Sequence, residues 1–301
     1  MFSIIIPSLN NLDYLKLCIE SIFKNSEYEN EIIVHVNLGD DEKINFLKKK
    51  KIKYTFTKYN AGICKGMNLA AKKTKYEYLL YAHDDFYFCP SWDKILKNEV
   101  DLIGHKNFYL SGTMMNNGQI KFDCGNSINN FDEEKFLKYY KKYNFYDFQG
   151  STWAPHLIHK DIWDKVGGFS EEFYPGTGSD PDLNMKLWNS GVRIFKGINN
   201  FKVYHFGSIV TRRYKNHPTI RTESGSKGSK IFLLKWGISI NFFKKFFLRS
   251  NDSYSGELDE PNKKILYYVN LFLCRINFLY IKYIYNYKNR NSLLNNDITK
   301  N

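Results

Sequence analysis

Cysteine is sparse and unpatterned in this 301-residue chain. Cys18, Cys64, Cys89, Cys124 and Cys274 are odd in number, far apart and contain no CxxC. That argues against a disulfide framework or a thiolate zinc site and fits a reducing cytoplasm. No leader is expected either. Met1–Pro7 has no basic segment and is broken by proline, so it does not read as a signal peptide. No uncharged apolar run approaches the ~20 residues of a membrane span, and no internal repeat is visible. The first two thirds also lack net charge: residues 1–200 carry 26 Lys and Arg against 25 Asp and Glu, whereas residues 201–301 carry 18 against 6. A nucleic-acid-binding protein would spread its basic charge over the body, among exposed aromatics. The neutral body makes that class unattractive, and no nucleic-acid partner is expected. The basic tail calls for an anionic partner, such as a membrane surface or a phosphorylated acceptor.

What is present is a regular alternation. Phe2–Ile6 is a short β-branched run closed by Pro7, read as a buried strand. Leu15, Cys18, Ile19, Ile22 and Phe23 follow at helical spacing. Glu31–Val36, Lys51–Thr57 and Tyr78–Ala82 read as further strands, with a helix over Gly66–Lys73 before the last. Strands alternating with helices predict a mostly parallel sheet flanked by helices. Ligands then bind beyond the carboxyl ends of the strands, where Ser8, Asn10, Asn37, Asn60, Asp84 and Asp85 gather. Residues 105–150 show no clear order. Trp163–Gly168 and Asp182–Asn189 read as helical, Val192–Phe195 and Lys202–Tyr204 as strands. Thr222–Ser229 reads as a flexible hinge. Ile231–Leu248 and Ile265–Tyr287 read as helices joined by an acidic turn, and 291–301 as a frayed end.

Three groups carry chemistry. His83-Asp84-Asp85 closes a buried strand, and paired carboxylates there suit a hard divalent cation such as Mn²⁺ or Mg²⁺ bridging to a diphosphate. A solvated turn is the plainer explanation of that pair alone. Gly178–Leu183 turns into a helix. Asp180 there is a candidate general base, and Asp182 is equally a helix cap. His205, before Gly207, can complete a metal site or serve structurally.

These pieces together resemble glycosyltransferase family 2, of GT-A fold, over residues 2–210. The likeness rests on SIIIPSLNNLDYLKLCIESI at the start and on Asn60-Ala61-Gly62 through Asn68-Leu69-Ala70. It continues in YAHDDFYFCP, in Val166–Phe173 and in GSDPDLNMKLWNSGVRI. The resemblance implies a GT-A (Rossmann-like) α/β sheet with a C-terminal helical extension. The expected division is a catalytic domain over 1–221, a basic aromatic helical extension over 230–290 and the tail. It implies Asp85 and His205 as metal ligands, Asp180 as the catalytic base of an inverting enzyme, and Asp182 and Trp153 on the acceptor side. Pro7, Ser8, Asn10, Asn37, Asn60, Gly62, Lys65, Asn68 and Asp84 fall where the family binds its nucleotide-sugar. His83 stands in place of the first aspartate of the family's DxD, Val36-Asn37-Leu38-Gly39 replaces its usual acidic turn, and Ser179 replaces a glutamate.

The expected activity is transfer of a sugar from a nucleotide-sugar donor to a hydroxyl of a glycan, glycolipid or other acceptor, as in surface polysaccharide or glycoconjugate synthesis. A nucleotidyltransferase on a similar sheet would carry a Gly-rich basic loop after the first strand, where PSLNNLD stands. An inactive nucleotide- or sugar-binding module would not need both Asp85 and Asp180. The expected location is cytoplasmic. In Ile231–Leu248, Phe232, Leu233, Trp236, Ile240, Phe243 and Phe247 share a broad face that either lies on an anionic membrane, packs on the catalytic domain or makes a homodimer contact.

Overall fold

The computed structural model describes residues 1–207, 218–250 and 252–298. Among these a nine-stranded sheet organises the chain. Its strands are β1 (Phe2–Ser8), β2 (Glu31–Val36), β3 (Lys53–Phe56), β4 (Tyr78–Tyr81), β5 (Phe86–Phe88), β6 (Phe108–Asn116), β7 (Phe148–Gln149), β8 (His156–His159) and β9 (Ile194–His205). The spatial order is β3-β2-β1-β4-β8-β6-β9-β5, with β7 on β9. β1 runs parallel to β2 and β4, and β2 to β3. β8 is antiparallel to both β4 and β6, β6 and β9 are parallel, and β5 is antiparallel to β9. This mixed, mostly parallel sheet flanked by helices is the expected fold class.

The apolar runs explain the centre of the sheet. Ile4 lies between Ile32 and Leu80 in register, and all three are buried. A strand covered on both faces needs such a continuous run rather than an alternating one. The helix α1 (Leu12–Lys24) buries Leu15, Cys18, Ile19 and Ile22 along one stripe. In α2 (Asp41–Lys49) the Asp40 side chain accepts from the Lys43 amide, satisfying one donor of the first turn. Next come α3 (Gly62–Ala71), α4 (Trp92–Ile103), α5 (Glu133–Tyr139), α6 (Lys160–Val166) and α7 (Ser179–Asn189). The unordered stretch 105–150 holds β6, α5 and β7. The two strands expected in 192–204 are one strand, β9, with a register shift against β6 between Gly112 and Thr113.

The extension departs from expectation. Thr222–Ser229 is not a hinge: it lies inside α8 (Pro218–Trp236). Glycine disfavours helix weakly, and here it is required. A Cβ on Gly228 would sit 2.0 Å from the Thr177 carbonyl oxygen, so glycine lets the helix seat against the backbone before α7. Conversely, Ile231–Leu248 is not one helix. Gly237, at φ +70°, ends α8, and Ser239 caps a short helical segment over 240–247 by accepting from the Phe242 amide. Phe232, Phe242 and Phe243 are buried there, which decides for packing over membrane contact in this segment. The last helix, α9 (Ile265–Ile298), extends through most of the stretch expected to fray, and 299–301 lie outside the described residues.

Candidate active site

The turn after β4 brings the acidic pair to the sheet's carboxyl edge, and β5 then pairs with β9 so that Phe86 lies opposite His205. Phe206 N donates to Asp85 O at 3.2 Å beside that pair. Sheet pairing thus carries His205 to Asp85, with Nε2 3.6 Å from Asp85 Oδ2. His83 joins them. One ligand atom from each of His83, Asp85 and His205 lies within 4.8 Å of the others. The His83 ring stacks on Phe86 at 4.8 Å.

His205 is oriented for ligation. Its Nδ1 is 2.8 Å from the Asn117 carbonyl oxygen. A carbonyl only accepts, so Nδ1 carries a proton, and it is Nε2 that the neutral ring would offer to a metal. That Nε2 is buried without a hydrogen-bond partner. Burial pushes His83 down to about 4, leaving a neutral imidazole. Two imidazoles and a carboxylate around an orphaned nitrogen form a donor set that fits a divalent transition metal. His83 stands where the family's DxD has its first aspartate, and its place beside the acidic pair is the sequence signal for a third donor.

Asp84 faces the other way. Its carboxylate accepts from Ser8 Oγ at 2.7 Å and Asn11 Nδ2 at 3.1 Å, tying the loop after β1 to the end of β4. Burial, aided by the charge of Asp85, raises Asp84 to about 7. Lys43, which the sequence did not single out, is fully buried here. Its Nζ is 3.7 Å from Asp40 Oδ2 and makes no hydrogen bond, and burial lowers its pKa against the pull of Asp84 and Asp40. In a chain this rich in lysine nothing marked it out.

The other nucleotide-side candidates divide. Pro7 is part of β1, opposite His35, and Asn10 is exposed at φ +49° in the following loop. Asn37 and Asn60 build the entry to α3: Asn37 Oδ1 accepts from Ala61 N, and Asn60 Oδ1 from Gly62 N. Gly62 itself, at φ +73°, leaves no room for a Cβ against Tyr174 and Pro175. Lys65 Nζ lies 5.5 Å from the centre of the Tyr59 ring. Asn68 is committed elsewhere: its amide pairs with both the N–H and the carbonyl of Phe169. It clamps α3 to the Gly168–Phe169 segment, a structural use that the residue's place in a motif does not reveal.

Asp180 stands in the first turn of α7. Its Oδ1 is buried without a hydrogen-bond partner, and burial raises the carboxyl to about 7. After burial, Asp180 is the next cause raising the Tyr81 phenol. The Tyr81 ring is 5.2 Å from that of His83, so Tyr81 packs beside the triad. Asp182 is fully buried and turned to structural work, accepting from Trp236 Nε1 and Ser170 Oγ and pairing with Lys235 at 3.0 Å. Trp153 is half-buried, stacked 5.1 Å from Phe148.

The chain is similar to known proteins. An uncharacterized glycosyltransferase of Rickettsia bellii is 29% identical over 161 residues, 52% of this chain. The chain spans 20% of that relative's length. Among solved structures, residues 1–349 of TarS from S. aureus in complex with UDP match at a TM-score of 0.51 and 14% identity, covering 81% of this chain and 72% of that one. A longer TarS structure matches at 0.52 and 16%, covering 81% and 45%. At such identity these structures show the fold. Residues 3–158 match glycosyl transferase family 2, and to that family the chain belongs.

Proposed function

We propose that the chain transfers a sugar from a nucleoside-diphosphate sugar to an acceptor hydroxyl, with inversion at the anomeric carbon. The observation that carries this reading is Asp180: a buried carboxylate oxygen with no partner, on a group raised to about 7, at the head of a helix. A base poised near the working pH is what proton removal from a hydroxyl requires. Asp180 takes the acceptor's proton as the acceptor oxygen bonds to the anomeric carbon. The bond from that carbon to the diphosphate breaks on the opposite face, and its electron pair leaves with the nucleoside diphosphate.

His83, Asp85 and His205 would hold a divalent cation, Mn²⁺ or Mg²⁺. Bound there it supplies Lewis-acid stabilisation of the departing diphosphate's charge. The chain's own residues do the rest. Ser8, Asn11 and Asp84 fix the loop after β1, and Lys43, a buried ammonium beside Asp40 whose Nζ makes no hydrogen bond, is a candidate donor to an anionic or carbonyl group of the nucleotide. UDP, present in the TarS complex, is the first nucleotide to test. A glycan or glycolipid acceptor in surface polysaccharide or glycoconjugate synthesis, and a peripheral place on the cytoplasmic membrane, fit the basic C-terminal third.

The deciding experiment is product analysis. Transfer from a nucleotide-sugar should give a product of inverted anomeric configuration, and Asp180→Asn should lose transfer while keeping donor binding. A retained configuration would refute the mechanism.

A further inference from the structure

The helix α9 has two opposed apolar edges. Tyr267, Leu271, Cys274, Phe278 and Ile281 recur at intervals of three and four and lie on the protein, with the Tyr267 ring 5.0 Å from Phe242 and 5.3 Å from Phe246. The opposite edge is bare. Val269, Phe272, Ile276, Leu279, Tyr280 and Tyr283 are between 47% and 74% exposed. At 100° per residue, Arg275 and Lys282 flank one side of this bare edge, and Asn270 and Asn277 the other. The segment Ile265–Tyr283 is long and apolar enough to cross a bilayer, and only 11% of it is buried. An exposed apolar strip this long implies an occupant.

We propose that α9 lies in the plane of an anionic phospholipid surface, its bare edge in the acyl boundary and its other edge holding the catalytic body. Two observations favour this over insertion across the membrane. One edge of the helix is already bound to the protein, and Arg275 sits midway along the segment Ile265–Tyr283, where hydrocarbon opposes charge. Charge decides between lipid and a second copy. Residues 265–283 contain no Asp or Glu to receive Arg275 and Lys282 across a self-paired face, whereas anionic headgroups supply that countercharge along with the acyl contact. Lys263 and Lys264, exposed just before the helix, add to the same field.

The test uses the full chain and vesicles of phosphatidylcholine with or without phosphatidylglycerol. Co-sedimentation should require the anionic lipid, weaken with salt, and be reversed by alkaline carbonate. Phe272→Ser with Leu279→Ser should abolish it with the circular dichroism spectrum unchanged. Arg275→Gln and Lys282→Gln should each lower vesicle affinity by about fivefold. Resistance to carbonate would show a spanning helix and overturn the in-plane placement. A chain that ignores anionic vesicles at low salt, and forms a dimer that Phe272→Ser dissociates, would make the occupant a second copy and overturn the proposal. Vesicle binding is read without any sugar transfer, so its failure leaves the transferase reading intact, and the converse holds.

Discussion

Trp236 Nε1 donates to Asp182 Oδ1 at 2.8 Å. The bond fastens the end of α8 to the first turn of α7, two residues from Asp180. Trp236→Phe keeps the ring packing and removes one hydrogen bond to a buried carboxylate. The expected loss is about 1.5–3 kcal/mol, read as a lowered urea midpoint. An unchanged midpoint would show that Lys235 and Ser170 hold Asp182 unaided.

Gly228→Ala tests the same junction through shape. The new methyl would meet the Thr177 carbonyl oxygen, a backbone atom that cannot rotate away. Overpacking of this kind costs ~1–3 kcal/mol, so the melting temperature should fall. Gly178 and Ser179 follow at once, so transfer should fall with it. A variant of unaltered stability would mean that α8 sits elsewhere in solution.

Asp180 links activity and stability with opposite signs. Its carboxyl, raised to about 7, should make kcat/KM rise with pH through that value. The native state then holds this proton more tightly than the unfolded chain does. The cost of ionising Asp180 is absent below the unfolded pKa near 4, grows as pH rises, and is complete above about 7. Asp180→Asn should therefore lose roughly 10²–10⁴ in rate and gain stability at pH above 7 but not in acid. Equal melting-temperature differences at both pH extremes would contradict the buried, unpartnered carboxylate.

Metal preference follows from the donor set. Imidazole nitrogens favour transition metals over Mg²⁺, so calorimetry with UDP should show tighter binding with Mn²⁺ than with Mg²⁺. His205→Ala and Asp85→Asn should each remove most of the metal-dependent affinity. His83→Asp, which replaces nitrogen with oxygen, should narrow the gap between the two ions. A gap unmoved by His83→Asp would remove His83 from the ligand set.

The sheet was legible where residues had one physical reading. Runs such as Phe2–Ile6 and Glu31–Val36 can be buried only in a strand covered on both faces, and both are. The turn into α7 that carries Asp180 was legible because it is local. What was not legible depended on contacts far along the chain. The TESGSKGS stretch has loop composition, and only the approach of Thr177 makes its glycine useful inside a helix. Asn68 and Asp182 matched positions of functional interest, yet Phe169 in one case and Trp236 with Lys235 in the other claim their polar atoms. Lys43 was one lysine among many until α2 packed on β3 and buried it.

The pairing of Phe86 with His205 has a consequence for how the protein is made. Asp85 and His205 are separated by most of the catalytic sheet in sequence, yet adjacent ladder positions set their spacing. A nascent chain that has emerged only as far as β8 carries His83 and Asp85 but has no strand to deliver the third donor. Metal affinity would therefore appear abruptly when β9 zips onto β5 and β6, and a bound ion would hold that last strand in place. A cation held there would then be a latch on the order of assembly, and its uptake would mark the moment at which the sheet closes.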